Sequence, residues 1–144
     1  MRVSTILATK GASVATIDPQ TTVADVVDEL RLRGVGALVV SGDGLTVEGV
    51  VTERDVVRRL AERGDRVLRD GVTDLMVVGG PTCGPGDTVV EVMEVMTVQR
   101  VRHVPVTVDG MLAGIVSIGD VVKARLSELE ADAQHLVDYL VTGR

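Results

Sequence analysis

The chain has 144 residues, 45% of them hydrophobic and 25% charged, and a formal net charge of −6. Such a composition fits one compact domain, or two small halves that share a core, and excludes a largely disordered chain. An acidic chain with Tyr139 as its one aromatic residue lacks the positive charge and stacking surfaces of nucleic-acid-binding proteins. Its single cysteine, Cys83, excludes a disulfide framework and a thiolate zinc cage.

The sequence also lacks the patterns of membrane and metal-binding proteins. No stretch reaches the roughly 18–20 consecutive apolar residues of a membrane span. Residues 1–10 lack the extended apolar core of a signal peptide. His103 and His135 fall in different predicted elements without an acid-rich ligand set nearby, so no metal site is expected. We therefore expect a cytoplasmic protein that associates with neither membranes nor nucleic acids.

Apolar and turn-forming residues divide the first half of the chain into helices and strands. Thr22 followed by Asp25 predicts a helix N-cap, apolar residues then recur at helical spacing, and Gly34 suits the helix end. The apolar run 37–40 predicts a buried strand, and the glycine-containing turn 41–44 predicts a hairpin. The order is strand, helix, strand, strand, helix, at 14–16, 22–34, 37–40, 49–51 and 53–63.

The second half of the chain repeats the first. An offset of 66 matches Thr16 with Thr82, Pro19 with Pro85, Thr22 with Thr88 and Val40 with Val106. After Thr46 the offset is 65, and Gly49, Val51 and Asp55 match Gly114, Val116 and Asp120. At the front it is 69, and Val3, Ile6 and Leu7 match Val72, Leu75 and Met76. The offset changes only where turns are expected, as loop-length variation after a duplication predicts.

The duplication predicts an α+β fold of two β-α-β-β-α repeats. In each repeat a three-strand sheet covers its helices on one side only, and a unit of roughly 55–60 residues buries little core by itself. The two repeats are therefore expected to pack sheet to sheet. The predicted divisions are 1–66 for the first repeat, 67–126 for the second, and 120–142 for a long C-terminal helix that continues the last repeat helix.

The most informative local pattern lies where a strand becomes a helix, over 49–55 and again over 114–120. Each copy has a hydroxyl and a carboxylate three residues apart, Thr52 with Asp55 and Ser117 with Asp120. One interpretation is structural, because the hydroxyl can cap the helix and the acid can complete a capping box. The other is a ligand site, because a helix N-terminus attracts phosphate and a carboxylate can accept from two sugar hydroxyls.

The duplicated plan, this motif and the strand Arg102-His103-Val104-Pro105-Val106 together resemble a tandem of cystathionine-β-synthase (CBS) domains, over residues 1–126. The resemblance implies a pseudo-twofold pair with two clefts that bind AMP, ADP, ATP, S-adenosylmethionine or NAD(H). It further implies that the motif aspartate holds the ribose hydroxyls and that residues just before the central strand contact the phosphate.

The resemblance assigns residues to both clefts. The second-repeat site comprises Arg102, His103, Ser117, Asp120, Val14 and Thr16. The first-repeat site comprises Gly36, Ala37, Thr52, Asp55, Thr82 and Cys83. Because the uncharged pair Gly36-Ala37 stands where the second copy has Arg102-His103, the second-repeat site is expected to bind phosphorylated ligands more tightly. Cys83 aligns with Ile17 and therefore also fits a small buried apolar position.

The C-terminal helix carries an apolar seam with steps of 4, 3, 4, 3 and 4, formed by Val122, Leu126, Leu129, Ala133, Leu136 and Leu140. This spacing is typical of a helix that packs on its own domain or on a partner helix. We favour a homodimer to which this helix contributes.

The predicted function is that of a regulatory or sensor module. It would bind an adenine nucleotide (AMP, ADP, ATP or NAD(H)) as a regulatory ligand and transmit its level to an unidentified regulated protein. No catalytic cofactor is expected, and no Ser-His-Asp or Cys-His arrangement emerges, so the chain is not expected to be an enzyme. The alternative is a ligand-free dimerisation or scaffolding module of the same fold.

Overall fold

The structure, a computed structural model, describes residues 1–143. Its helices are α1 (Val3–Lys10), α2 (Val23–Arg33), α3 (Glu53–Arg63), α4 (Val89–Gln99) and α5 (Ile118–Thr142). Its strands are β1 (Thr16–Ile17), β2 (Ala37–Val40), β3 (Gly49–Thr52), β4 (His103–Val108) and β5 (Met111–Ser117). Two 3-10 helices, Gly64–Arg69 and Val72–Asp74, connect the halves. The predicted α+β fold with a long C-terminal helix is confirmed.

The two repeats form similar sheets of unequal completeness. In the first, β1 runs parallel to β2, and β2 runs antiparallel to β3. In the second, β4 and β5 are antiparallel, and the expected opening strand is a single parallel bridge between Cys83 and Val106. Cys83 N–H donates to Pro105 O at 3.0 Å, and Cys83 O accepts from Thr107 N–H at 2.8 Å. The second repeat therefore keeps the parallel pairing of its opening segment with the central strand, but this segment is too short to form a regular strand.

Hydroxyl side chains begin the helices where the sequence predicted caps. At the N-termini of α2, α3, α4 and α5 an oxygen accepts from the backbone N–H of the third helical residue; these caps are Thr22, Thr52, Thr88 and Ser117. Gly34 ends α2 in the left-handed conformation, as predicted. Both copies of the strand-to-helix motif, at Thr52–Asp55 and at Ser117–Asp120, therefore form capping boxes.

Each core contains the opening segment of the other repeat. Val3 and Ile6 of α1 are buried with α4, β4, β5 and α5 in the core of the second repeat. Val72 and Leu75, their counterparts, are buried in the core of the first repeat. Both cores are thus built from both halves of the chain, and neither repeat can be excised without removing part of the other's core.

The motif glycines let these exchanged segments approach the sheets. A Cβ on Gly114 would lie 2.7 Å from Cδ2 of Leu7, and one on Gly49 would lie 2.7 Å from Sδ of Met76. Such contacts are far inside van der Waals distance, so a side chain at either position would force the side chain of Leu7 or Met76 to move. The duplicated glycine is explained by packing alone.

The central strands are buried on both faces. Leu38 and Val40 of β2 contact the core of the first repeat, whereas Ala37 and Val39 point to the opposite face and are buried there as well. Pro105 of β4 is buried between two residues that belong to the second core. This two-sided burial agrees with repeats that pack sheet to sheet.

Helix α5 has a buried start and an exposed continuation. Val121 and Ala124 are buried, whereas Leu129, Leu136 and Leu140 are 47%, 60% and 73% exposed. The predicted apolar seam therefore lies largely uncovered in the single chain. Within residues 1–143, no helix combines the length and the apolar character needed to cross a membrane.

Candidate functional site

A cleft of about 460 Å³ opens between the two repeats beside the first strand-to-helix motif. Its volume lies in the range of small-molecule sites. The first repeat contributes Gly36, Thr52 and Asp55, and the second contributes Thr82, Arg102 and His103. The cleft therefore depends on the pairing of the repeats.

Capping leaves part of the motif carboxylate available for a ligand. Oδ2 of Asp55 accepts from Thr52 N–H at 2.9 Å and from the Thr52 hydroxyl at 3.0 Å. The Asp55 N–H in turn donates to Thr52 Oγ1 at 3.3 Å. These side-chain bonds to Asp55 use Oδ2, so Oδ1 of the same carboxylate can accept from a ligand within the described cleft. The structural and ligand-binding interpretations of this motif are compatible.

Positive charge is concentrated around the cleft although the whole chain is acidic. The four arginines of its lining are Arg54, Arg58, Arg100 and Arg102. The acidic residues of the lining are three, namely Glu48, Glu53 and Asp55. Guanidinium groups hydrogen-bond phosphate oxygens in a planar, often bidentate geometry. The cleft can therefore hold an anion on the second-repeat side and hydroxyl groups on the Asp55 side.

His103 is a neutral, partly buried group at the back of the cleft. Burial lowers the pKa of His103 below 6.5, and the charges of Lys10 and Arg102 act in the same direction, against the carboxylates of Glu53 and Asp120. Its buried Nδ1 has no hydrogen-bond partner among the described residues. A Cβ on Gly36 would lie 3.4 Å from His103 Cε1, so the missing side chain leaves room for the ring.

At the second motif the carboxylate is paired with a lysine in addition to its capping bond. Oδ2 of Asp120 accepts from Ser117 N–H at 2.8 Å and from Lys10 Nζ at 2.6 Å. Burial alone would raise the pKa of Asp120, but these hydrogen bonds and the charge of Lys10 hold it below its usual value. Lys10 Nζ also donates to Ile115 O at 3.0 Å. The two motifs thus share a capping geometry and differ in what faces them.

Arg102 and His103 lie in a different cleft from the one expected from the sequence. The resemblance grouped them with Ser117 and Asp120, but both line the cleft of Thr52 and Asp55. His103 is the strand partner of Ser117, and the Arg102 carbonyl accepts from Ile118 N–H at 2.8 Å. The backbone of Arg102 and His103 is therefore hydrogen-bonded within the second repeat, whereas both residues line the cleft beside the first motif.

Other residues assigned from the sequence lie away from the open cleft. The Cys83 side chain packs in the second core, and burial raises the pKa of its thiol to about 11. Ala37 is buried on β2. Thr16 lies on the edge strand β1, with Val14 just before it, and both are partly buried. Cys83 thus takes the buried apolar position that its alignment with Ile17 indicated.

Two charged residues at these sites were missed by the sequence reasoning. Arg100 lines the open cleft in the left-handed conformation, with φ of 54°, where the first copy has Gly34. Lys10 pairs with Asp120, and the second copy has Gly79 at that position under the offset of 69. Both could have been found as charged residues that align with a glycine in the other repeat.

A metal site is not supported by the described part of the chain. No group of three or more His, Cys, Asp or Glu side chains suited to a metal ion occurs within residues 1–143.

Comparison with known proteins agrees with the duplicated fold. The chain is 37% identical over 126 residues to the mitochondrial CBS domain-containing protein CBSX3 of Arabidopsis thaliana, covering 85% of this chain and 61% of that relative. It thus spans less than two thirds of that protein. The solved CBS-domain protein ATU1752 of Agrobacterium tumefaciens is 41% identical, with a TM-score of 0.84 over 87% of this chain and 99% of the other.

A third similar structure is the CBS domain protein PAE2072 of Pyrobaculum aerophilum, which was solved in complex with AMP. It is 29% identical, with a TM-score of 0.77 over 91% of this chain and 99% of that one. The family model for the CBS domain matches residues 3–62 and 72–127, which correspond to the two repeats. The chain therefore belongs to the CBS domain family, as a tandem pair of CBS domains.

Proposed function

We propose that the chain is a regulatory module that binds an adenine nucleotide in the cleft beside Asp55. The observation that carries the proposal is the pairing, across one cleft, of a carboxylate with an available oxygen and a cluster of arginines. The former suits ribose hydroxyls and the latter suits a phosphate. The AMP complex of the related Pyrobaculum protein supports the same ligand class.

The ligand would lie across the two repeats. Ribose hydroxyls donate to Oδ1 of Asp55, and the phosphate accepts from Arg102 and from neutral His103, whose ring lies next to Gly36. Apolar residues of the lining, Val50, Val77, Val101 and Pro105, are available to the base. With no Phe or Trp in the chain, adenine is recognised through aliphatic contacts and backbone groups rather than by stacking.

The role of the ligand would be regulatory. The hydroxyl of Thr52 and the carboxylate of Asp55 hold each other in a capping box, which suits a binding role for this motif. A nucleotide that contacts both repeats stabilises one relative arrangement of them, and a partner that recognises this arrangement responds to the nucleotide level.

Self-association is the second part of the proposal. The exposed apolar face of α5, formed by Leu129, Leu136 and Leu140, fits a second copy of the chain. Replacing Leu129 and Leu136 by Glu would place charges in this seam and is expected to shift the sedimentation coefficient from dimer to monomer. A wild-type chain that sediments as a monomer at tens of micromolar would contradict this part.

A matched pair of variants tests nucleotide binding. Asp55→Asn keeps an oxygen that can cap α3 but removes the charge that attracts ribose hydroxyls. Since hydrogen bonds to charged groups contribute about 1.5–3 kcal/mol, AMP affinity in isothermal titration is expected to fall about 10- to 150-fold. The control Asp120→Asn makes the same change at the second motif and is expected to leave that affinity unchanged. Wild-type protein that binds none of the adenine nucleotides would leave the dimerisation module as its function.

A further inference from the structure

We infer that Lys10 directs the nucleotide to the first motif, because its ammonium pairs with the second-motif carboxylate from within the chain. The inference rests on the proposed function of the first cleft. The Lys10 ammonium neutralises Asp120 and stands where a ribose would approach it, so one chain binds one nucleotide.

The ammonium of Lys10 contacts the second motif at two points, as a hydrogen-bonding group of a ligand could. Lys10 Nζ lies 2.6 Å from Asp120 Oδ2 and 3.0 Å from Ile115 O. The side chains of Lys10 and Asp120 are 33% and 23% exposed. The pair is partly exposed, and the second contact, to the Ile115 carbonyl, fixes the ammonium at the sheet edge.

The same positions in the first repeat carry no cation. Under the offsets of 65 and 69, Ile115 matches Val50 and Lys10 matches Gly79. Val50 O accepts from the backbone N–H of Val77 at 2.9 Å, so the backbone takes the place that the ammonium holds in the other repeat. Gly79 lines the open cleft and leaves the Asp55 carboxylate accessible.

The conformation of the exchanged segments explains the difference. Helix α1 continues to Lys10, one turn beyond Leu7, whose side chain contacts Gly114. Residues three apart lie on one face of a helix, so this contact directs Lys10 towards the same sheet edge. In the second copy the 3-10 helix ends at Asp74, and Val77 pairs with Val50 as extended backbone before Gly79.

The consequence is a selection between two sites that share the same capping motif. A ribose that approaches Asp120 meets an ammonium that already pairs with Oδ2 of the carboxylate and with the Ile115 carbonyl. A ribose that approaches Asp55 meets no such lysine, because the aligned residue is Gly79. Lys10 against Gly79 is therefore one aligned difference that favours the first cleft, beside the arginines that line it.

Isothermal titration with AMP, followed for stoichiometry, tests this. Wild type is expected to bind one AMP per chain, and Lys10→Ala two. Lys10→Arg retains a cation and is expected to bind one. Lys10→Ala with Asp120→Asn is expected to return to one, because the newly opened carboxylate loses its charge. Thermal unfolding of each variant checks that the fold is intact.

The outcomes separate this inference from the proposed function. Two AMP per wild-type chain, or one per folded Lys10→Ala chain, would overturn the inference while the first cleft keeps its function. A single AMP bound only after Lys10→Ala, with none in wild type, would overturn the function of the first cleft and support the role of Lys10. No AMP bound by either protein would overturn both.

Discussion

At the start of α3 the carboxylate of Asp55 faces an open cleft, whereas at the start of α5 the carboxylate of Asp120 faces Lys10. Both acids complete a capping box with the hydroxyl three residues earlier, and both follow a glycine on which an exchanged segment packs. Local geometry was preserved after duplication, while the surroundings diverged.

The divergence concerns charge more than shape. The first cleft gained arginines and a histidine from the second repeat, and in particular Arg102 faces it from the position that is Gly36 in the first copy. The second carboxylate gained an internal cation from α1. The two copies of one motif thus face different residues, an arginine-lined cleft in one case and a lysine in the other.

The largest effect expected from breaking this asymmetry is at Arg102. Arg102→Ala removes a charge-assisted hydrogen bond to phosphate, and AMP affinity is expected to fall about 10- to 150-fold. Adenosine affinity should not change, because adenosine carries no phosphate. Titrations with both ligands check this, with Arg33→Ala, whose side chain pairs with Glu29 on the surface, as the control. Equal losses for AMP and adenosine would show that Arg102 acts only on the fold.

A smaller effect is expected at Arg100, where two properties should move in opposite directions. Arg100→Gly relieves a left-handed backbone conformation that costs a side-chain-bearing residue about 1 kcal/mol, so the free energy of unfolding should rise by that amount. AMP affinity should fall several-fold, because an arginine of the cleft is lost.

The matched change Gly34→Arg should destabilise the fold by about 1 kcal/mol through backbone strain, since a Cβ there meets no atom within 4 Å. AMP binding should not strengthen, because Gly34 is not among the residues that line the cleft. Chemical denaturation and titration of both variants provide the measurements. Arg100→Gly protein that is less stable than wild type would refute the strain argument.

The smallest expected effect concerns pH and His103. Because the folded-state pKa of His103 lies below 6.5, the unfolded chain binds the proton more readily. The free energy of unfolding should therefore decrease as pH falls below about 6.5, until the folded-state pKa is passed. His103→Gln should show a shallower decrease than wild type between pH 7.5 and pH 5.5 in chemical denaturation. Identical slopes in wild type and His103→Gln, with His135→Gln as control, would contradict the burial argument.

Much of the fold could be predicted because its signals are local. Thr22 with Asp25, the apolar run 37–40 and the glycine at 34 specify a cap, a strand and a helix end through neighbours a few residues away. Duplication then allowed each such signal to be recognised twice. The opening strand expected in the second repeat is reduced to a single bridge at Cys83, and so short an element has too few residues to show an apolar alternation.

The sequence named residues that line the open cleft but divided them between two sites. The motif residues Thr52 and Asp55 lie together in the open cleft, with Gly36 and Thr82. Arg102 and His103 belong to the same cleft although their backbone lies in the second repeat. Their position depends on how two sheets face each other, which no spacing along the chain encodes.

The repeated residues along the chain are sufficient to predict two copies of one unit, each with a hydroxyl and a carboxylate that cap a helix. The caps can be predicted because they depend on interactions within a few residues. The packing of α1 in the core of the second repeat, and the contact of Lys10 with Asp120, 110 positions along the chain, follow only from the three-dimensional arrangement. The physical reason is that an electrostatic contact depends on distance in space, and packing of the exchanged segments sets that distance.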